Sequence, residues 1–345
     1  MSPLCGDNRV KILVPSYFAQ HYRNQMEKDC PQVEVISFKL RERRSVFSQQ
    51  RSYDFGIDEP GSLADKEEAR ICVAPTELTF DASVFLTRSL PELRWIHSTQ
   101  TGIDHLLTDE VRRRNILVTA SHVCSSAMAE YVLAMILAAI KGFRTHLELQ
   151  KTGEWKFVVS RMLKGLRVGV IGLGRIGQAV VGRLKANAME VWGWNRSKPS
   201  LKELDRYFPA EREGLRKLCS ECDVIVIALP LTEQTRHLLD EEILDGMKPD
   251  AWLINVSRGG IVDEEALSWR LKNQRLGGAC LDVVEDQSKS VLEQLAQLDN
   301  VFITYHSSFY FPEYNQAVCE DFVGKLKCYL AGRPVPDRVD VQRGY

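Results

Sequence analysis

The sequence predicts an α/β protein of two parallel-sheet units, the smaller one interrupted in the chain by the larger. Three observations carry this prediction. Short apolar runs alternate with helical patterns along nearly the whole chain, as βα repeats require. A long segment, apolar almost all round in its first half, separates an earlier series of runs from a later one. The later series opens on a glycine triplet set between an apolar run and a helical pattern. With 345 residues there is chain enough for two ordinary domains.

The first series supplies five strands: "RVKILVPSY" (9–17), "VEVISF" (33–38), "ARICVAP" (69–75), "LRWIHST" (93–99) and "ILVTAS" (116–121). They form a flavodoxin-like unit. Residues 125–153 read as one long helix, whose first half is too apolar to face water and is therefore buried. The second series runs through "GLRVGVIGLG" (165–174), "MEVWGW" (189–194), "CDVIVIALP" (222–230), "AWLINVS" (251–257), "GGACLDVV" (277–284) and "VFITYH" (301–306). Near-continuous apolar strands of this kind fit a parallel sheet covered on both faces. A last helix, about 312–331, returns to the first unit. The boundaries predicted are 1–121 with 307–345 for the smaller unit and 122–306 for the larger.

Gly172, Gly174 and Gly177 make G-x-G-x-x-G, with Arg175 and Ile176 between the last two. The strand before and the helix after are the context in which this triplet binds a dinucleotide. The first glycine permits a tight turn, the second lets pyrophosphate approach, and the third lets helix pack on strand. Amides of the helix N-terminus then face the anion. This makes the larger unit a Rossmann domain. An acidic residue about 20 positions on would accept from the adenosine ribose. This chain has Asn195, Arg196, Ser197 and Lys198 there, with no negative charge and with donors suited to a 2′-phosphate. NADP(H) is favoured over NAD(H), which remains the alternative.

The bulk numbers exclude other classes. A formal net charge of −1 gives nucleic acid no electrostatic support. The most apolar run, "YVLAMILAAI" (131–140), is too short to span a bilayer. The start "MSPLCGDNRVKILVPSYF" lacks the charged-then-apolar pattern of a secretion signal. Nine cysteines without dense spacing do not make a disulfide scaffold, and "CSEC" (219–222) has no second pair at zinc distance. The expectation is a soluble cytoplasmic protein with no metal, no membrane and no nucleic-acid partner.

Four further stretches, "LPLTEQTRHLLD" (229–240), "LINVSRGGIVDEEAL" (253–267), "GGACLDVVEDQ" (277–287) and "VFITYHSSFY" (301–310), follow the glycines in order. With them the chain resembles the D-isomer-specific 2-hydroxyacid dehydrogenases over residues 70–335. That group includes glyoxylate/hydroxypyruvate reductases, formate dehydrogenase and the C-terminal-binding-protein corepressors. The resemblance implies that Arg258 binds the substrate carboxylate and polarises the 2-oxo group, and that His306 exchanges the proton. It implies that Asp282 lies on the nicotinamide side. Cofactor contacts are implied at Leu229, Pro230, Thr235, Val256, Ser257 and Ser308. Backbone amides around Thr101, Gly102 and Ile103, in "STQTGIDHL" (98–106), would cradle the carboxylate, with "VAPTELT" (73–79) as a second loop over the substrate. Family members usually dimerise, which makes a homodimer the expected state.

One departure stands out. The family places a Glu five residues after the aspartate, where it pairs with the His and favours imidazolium. Here the position holds Gln287. By strict spacing Gln287 orients His306 without charging it. A shifted loop would instead bring Glu285 or Asp286 to the His. A third alternative is weakened catalysis and a dinucleotide-sensing regulatory role, since "HSSFYFPE" (306–313) is closer to the corepressor branch than to the common "HxGG". The main expectation is an enzyme transferring hydride between NADP(H) and a small 2-oxo/2-hydroxy acid such as glyoxylate or hydroxypyruvate.

Overall fold

The computed structural model describes residues 9–43, 54–57, 66–75, 78 and 80–344. Residues 1–8, on which the reading of the N-terminus partly rests, and residues 76, 77 and 79 of the second substrate loop lie outside the described ones. The chain divides into two compact units, Met1–Val123 with Pro312–Tyr345, and Cys124–Phe311.

The first unit runs β1 (Val10–Pro15), α1 (Ser16–Asp29), β2 (Val33–Phe38), β3 (Leu40–Arg43), β4 (Asp54–Ile57), β5 (Ile71–Ala74), α2 (Phe80–Ser89), β6 (Trp95–Ser98), α3 (Asp109–Arg113) and β7 (Leu117–Ala120). Its main sheet has the order β2-β1-β5-β6-β7, with every pair parallel. The short strands β3 and β4, which the apolar pattern does not announce, pair antiparallel to each other.

The second unit runs α4 (Ser125–Ile140), α5 (Phe143–Thr152), β8 (Arg167–Ile171), α6 (Arg175–Ala186), β9 (Glu190–Asn195), β10 (Arg206–Pro209), α7 (Arg212–Glu221), β11 (Val224–Ile227), α8 (Glu241–Asp245), β12 (Trp252–Asn255), α9 (Glu264–Lys272), β13 (Gly278–Leu281), α10 (Lys289–Ala296) and β14 (Val301–Ile303). The chain then returns to the first unit through α11 (Tyr314–Leu330). In α11, Phe322 stacks within 5.4 Å of Trp95, which fixes the helix to that unit's sheet.

The larger sheet is seven-stranded, β10-β9-β8-β11-β12-β13-β14, all parallel. Chain order reverses between β8 and β11, the switch point at which an open α/β sheet leaves a crevice beyond its carboxyl ends. All four residues of β11 are buried, as are all four of β13, because helices cover both faces.

Two local expectations are corrected. Residues 125–153 are two helices, bent by 58° between α4 and α5. The break is Gly142, whose φ of +67° is left-handed and incompatible with continuing an α-helix. The strand β10 was not foreseen. It is a four-residue edge strand with one buried side chain, Phe208, so it has no apolar run to read. Among the described residues no single helix is long and apolar enough to cross a membrane. Cys219 and Cys222 are buried free thiols, and burial pushes Cys219 up to about 12, so the CxxC spacing is packing.

Candidate active site

Every residue that the sequence assigns to chemistry in the larger unit lies at or beyond the carboxyl ends of β8, β9, β11, β12, β13 and β14, or opens α6. One edge of one sheet therefore gathers residues from six separate stretches.

The glycine turn follows β8. Gly172 has a φ of +96°, and a Cβ there would meet the Ala228 carbonyl oxygen at 2.4 Å. A Cβ on Gly177 would lie 1.9 Å from the Gly172 oxygen, so only glycine lets α6 seat on the turn. Gly174 behaves oppositely. Nothing lies within 4 Å of where its Cβ would be, which leaves open space at the helix N-terminus. A cradle closed by its own backbone at two glycines and open at the third fits a dinucleotide pyrophosphate. Arg175 is exposed and Ile176 half-buried at the first turn of α6.

Asn195 closes β9 and latches the turn. Its Oδ1 accepts from Leu173 N at 3.2 Å and its Nδ2 donates to Ser197 O at 2.8 Å. Arg196, Ser197 and Lys198 follow on the surface. After β11, Leu229 packs toward Gly172, and Thr235 folds the next loop by donating to Pro230 O at 2.7 Å.

Arg258 is carried by a turn that Asn255 builds. The Asn255 Oδ1 accepts from Ser257 N at 3.1 Å and Ser257 Oγ at 2.9 Å, while its Nδ2 donates to Arg258 O at 2.9 Å. Val256 is buried, and Arg258 is half-buried. The Asn-x-Ser-Arg pattern is thus a small hydrogen-bonded frame with a guanidinium at its exit.

His306 stands on a more demanding turn. Tyr305 and His306 both have left-handed backbones, with φ of 51° and 57°. Two adjacent non-glycine residues in that region cost of order 1 kcal/mol or more each. Asp282, 2% exposed, holds them there. Its Oδ1 accepts from Thr304 Oγ1 (2.7 Å), Ser307 N (2.9 Å) and Ser308 N (3.1 Å), its Oδ2 accepts from Ser308 Oγ (2.5 Å), and its own carbonyl accepts from His306 N (2.6 Å). Thr304 gives its hydroxyl proton to this carboxylate, so Tyr131 of α4, 2.6 Å from Thr304 Oγ1, is the donor in that pair. Burial pushes the Tyr131 phenol well up, which keeps the proton on it. The sequence reading gave Asp282 and Ser308 to the cofactor. In the structure their side chains are engaged with the turn that bears His306.

The reading of Gln287 is corrected. Gln287 is exposed and makes no hydrogen bond among the described residues, so it does not orient His306. The shifted-loop alternative fails as well. The Glu285 carboxylate binds Arg236 Nη1 and, at 3.0 Å, His237 Nε2, while Asp286 accepts from Ser288 N at 2.8 Å. The reason is local. The amides of Glu285 and Asp286 are both held by the carboxylate of Glu264 on α9, at 2.9 and 3.0 Å, which turns the loop toward α9.

In the smaller unit, Thr101 Oγ1 donates to Ser121 O at 3.0 Å and lies 3.3 Å from His122 Nδ1. Ile103 is buried, and Gly102 sits between them before the turn at Asp104–Leu106. Sequence reasoning missed Asn255, Tyr131, Thr304 and the Arg236–His237–Glu285 cluster. Asn255 was the one with a visible signal, since it opens the Asn-x-Ser-Arg-Gly pattern itself.

Comparison with known proteins matches residues 133–308 to the model of the D-isomer specific 2-hydroxyacid dehydrogenase NAD binding domain. The chain is 32% identical over 270 residues to glyoxylate reductase of Pyrococcus furiosus, covering 75% of this chain and 79% of that protein. It is 30% identical over 313 residues to hydroxyphenylpyruvate reductase of Plectranthus scutellarioides, covering 89% of this chain and 96% of the relative. A crystal structure of a D-isomer specific 2-hydroxyacid dehydrogenase from Xanthobacter autotrophicus Py2, in complex with NADPH and MES, is similar with a TM-score of 0.80 at 26% identity. That match covers 98% of this chain and 100% of the other. The chain belongs to the D-isomer-specific 2-hydroxyacid dehydrogenase family, whose members are NAD(P)-dependent oxidoreductases.

Proposed function

We propose that the protein is an NADP(H)-preferring reductase of small 2-oxo acids, with glyoxylate and hydroxypyruvate as the class. The observation that carries this reading is the pair of built turns at one sheet edge. Asn255 frames Arg258, and Asp282 forces His306 into a left-handed turn. Strain maintained by five hydrogen bonds is strain with a use.

When bound, the nicotinamide supplies the hydride. Arg258 binds the substrate carboxylate and draws charge onto the 2-oxo oxygen. His306 gives its ring proton to the alkoxide that forms, and takes it back in oxidation. The glycine cradle, with Val256, Ser257 and Pro230, would hold the nicotinamide cofactor. Support for glyoxylate comes from the Pyrococcus furiosus relative, and support for NADPH from the ligand of the Xanthobacter autotrophicus structure.

The preference for NADPH rests on the end of β9. Residues 195–198 carry no carboxylate to repel a 2′-phosphate, and Arg196 follows Asn195 at the surface. In Asn195→Asp/Arg196→Ile the new carboxylate keeps the bond from Leu173 N, loses the one to Ser197 O, and adds charge at the ribose. The ratio of kcat/KM for NADPH to that for NADH is expected to fall by about tenfold or more, since one charged hydrogen bond is worth roughly 1.5–3 kcal/mol. A wild type that already prefers NADH would contradict the reading.

A homodimer is proposed through α5 and the segment after it. Trp155, Phe157 and Val159 are 97%, 93% and 98% exposed, and α5 adds Phe143 and Leu147 at 53% and 52%. Large apolar side chains this exposed and this close in sequence support an association site. A second copy of the chain is its occupant, and light scattering at the mass of one chain would contradict that.

A further inference from the structure

The loop after β13 carries a carboxylate where the chain's own chemistry does not require one, and its surroundings give it a role. The backbone of this loop lies directly on the turn that follows Arg258. A Cβ on Gly259 would be 2.1 Å from Glu285 N, 2.1 Å from Val284 C and 2.5 Å from Val284 O. A Cβ on Gly260 would be 3.0 Å from Glu285 Oε1 and 3.3 Å from Arg236 Nη1. The loop backbone therefore covers Gly259 and the Glu285 ion pair covers Gly260, and both glycines are buried.

The same carboxylate binds one further segment, residues 236–239, which also holds the turn. Arg236 Nη1 binds Oε1, and His237 Nε2 lies 3.0 Å from Oε2. His237 has a left-handed backbone, with φ of 48°, and its amide donates to Gly260 O at 2.8 Å. Leu239 N continues the pairing to Ile261 O at 3.1 Å. Behind Glu285, the Glu264 carboxylate fixes the loop by the amides of residues 285 and 286. The His237 hydrogen bond, followed by that from Arg236, holds the Glu285 carboxyl below its ordinary range.

We propose that Glu285 is a positioning residue for Arg258: its carboxylate, clamped between Arg236 and His237, locks the Arg258-Gly259-Gly260 turn and so aims the guanidinium at the substrate carboxylate. The inference rests on the role of Arg258 proposed above. A fork that binds a carboxylate through two parallel bonds tolerates little rotation, and a misplacement of about 1 Å can cost ~10²-fold in rate. Glu285 touches no substrate. Its effect passes through the turn.

The test is a cycle of Glu285→Gln, Arg236→Gln and the double variant, with steady-state kinetics for glyoxylate and NADPH. Glu285→Gln keeps the volume and loses the charge. The KM for glyoxylate is expected to rise about tenfold, while the KM for NADPH stays within about twofold, because the glycine cradle is untouched. The double variant is expected to lose no more than Glu285→Gln alone, since both remove one interaction. A KM for glyoxylate unchanged in Glu285→Gln, or losses that add in the double variant, would overturn the clamp. Should Glu285→Gln fail to fold, Arg236→Gln decides alone, because its side chain is half exposed and its removal leaves the Glu264 anchors in place. Arg258→Lys separates the role of Arg258 from that of Glu285. If it retains full turnover, the reading of Arg258 is wrong. If it is inactive and Glu285→Gln is like wild type, only the clamp is wrong.

Discussion

Arg258→Lys is expected to lower kcat/KM for the 2-oxo acid by about 10²-fold or more, equivalent to about 2.7 kcal/mol of transition-state stabilisation. The charge survives the change and the geometry does not. Arginine presents two parallel N–H groups to a carboxylate and a further donor toward the carbonyl, whereas an ammonium is a point charge on a flexible stem. The backbone at position 258 is set by Asn255, whose Nδ2 donates to the residue's own carbonyl at 2.9 Å, so the substitution leaves the turn intact. Cofactor affinity should change little, because the glycine turn and the end of β9 lie on other strands and the turn bearing Val256 and Ser257 keeps its bonds to Asn255. Fluorescence titration with NADPH together with steady-state kinetics checks both halves. Unchanged turnover in Arg258→Lys would remove the residue from the reaction.

His306→Asn is expected to lower reduction by about 10²- to 10⁴-fold, the usual range for a positioned proton donor. Asparagine accepts a left-handed backbone better than most residues, so the Asp282-held turn is preserved while the proton is lost. The pH signs follow from the chemistry. Reduction requires imidazolium and fades as pH rises and that form is lost. Oxidation requires neutral imidazole and fades as pH falls. Both limbs should vanish in the Asn variant. If they persist with wild-type positions, the titrating group is another residue.

Much of the frame was legible because the parallel strands are apolar on both faces and need no periodicity to be seen. "VIVI" of β11 and "GACL" of β13 are examples, buried throughout. The glycine triplet was equally legible, since each glycine answers a distinct steric demand. The break at Gly142 was not, because a left-handed φ leaves no mark on its neighbours, and a single glycine within a helical pattern costs only about 1 kcal/mol. The site was legible in its membership and not in its wiring. Asp282 stands in the motif, yet its partners Thr304, Ser307 and Ser308 come more than twenty residues later. Tyr131 reaches Thr304 across 173 positions. Counting five residues on from Asp282 leads to Gln287, but direction along a loop depends on which groups hold its amides. Glu264, on α9, holds those of residues 285 and 286 and turns the loop toward that helix.

The proposed reduction of a 2-oxo acid by NADPH at the two strand-end turns can be assayed directly. The most direct test follows the nicotinamide absorbance with purified protein, NADPH or NADH, and a panel of glyoxylate, hydroxypyruvate and an aromatic 2-oxo acid. Oxidation of NADPH that depends on the acid is expected, with higher kcat/KM than for NADH and with glyoxylate or hydroxypyruvate preferred to the aromatic acid. Tight binding of NADPH with no acid-dependent oxidation across the panel would contradict it, and would leave a dinucleotide-binding protein whose Arg258 and His306 turns serve something other than hydride transfer.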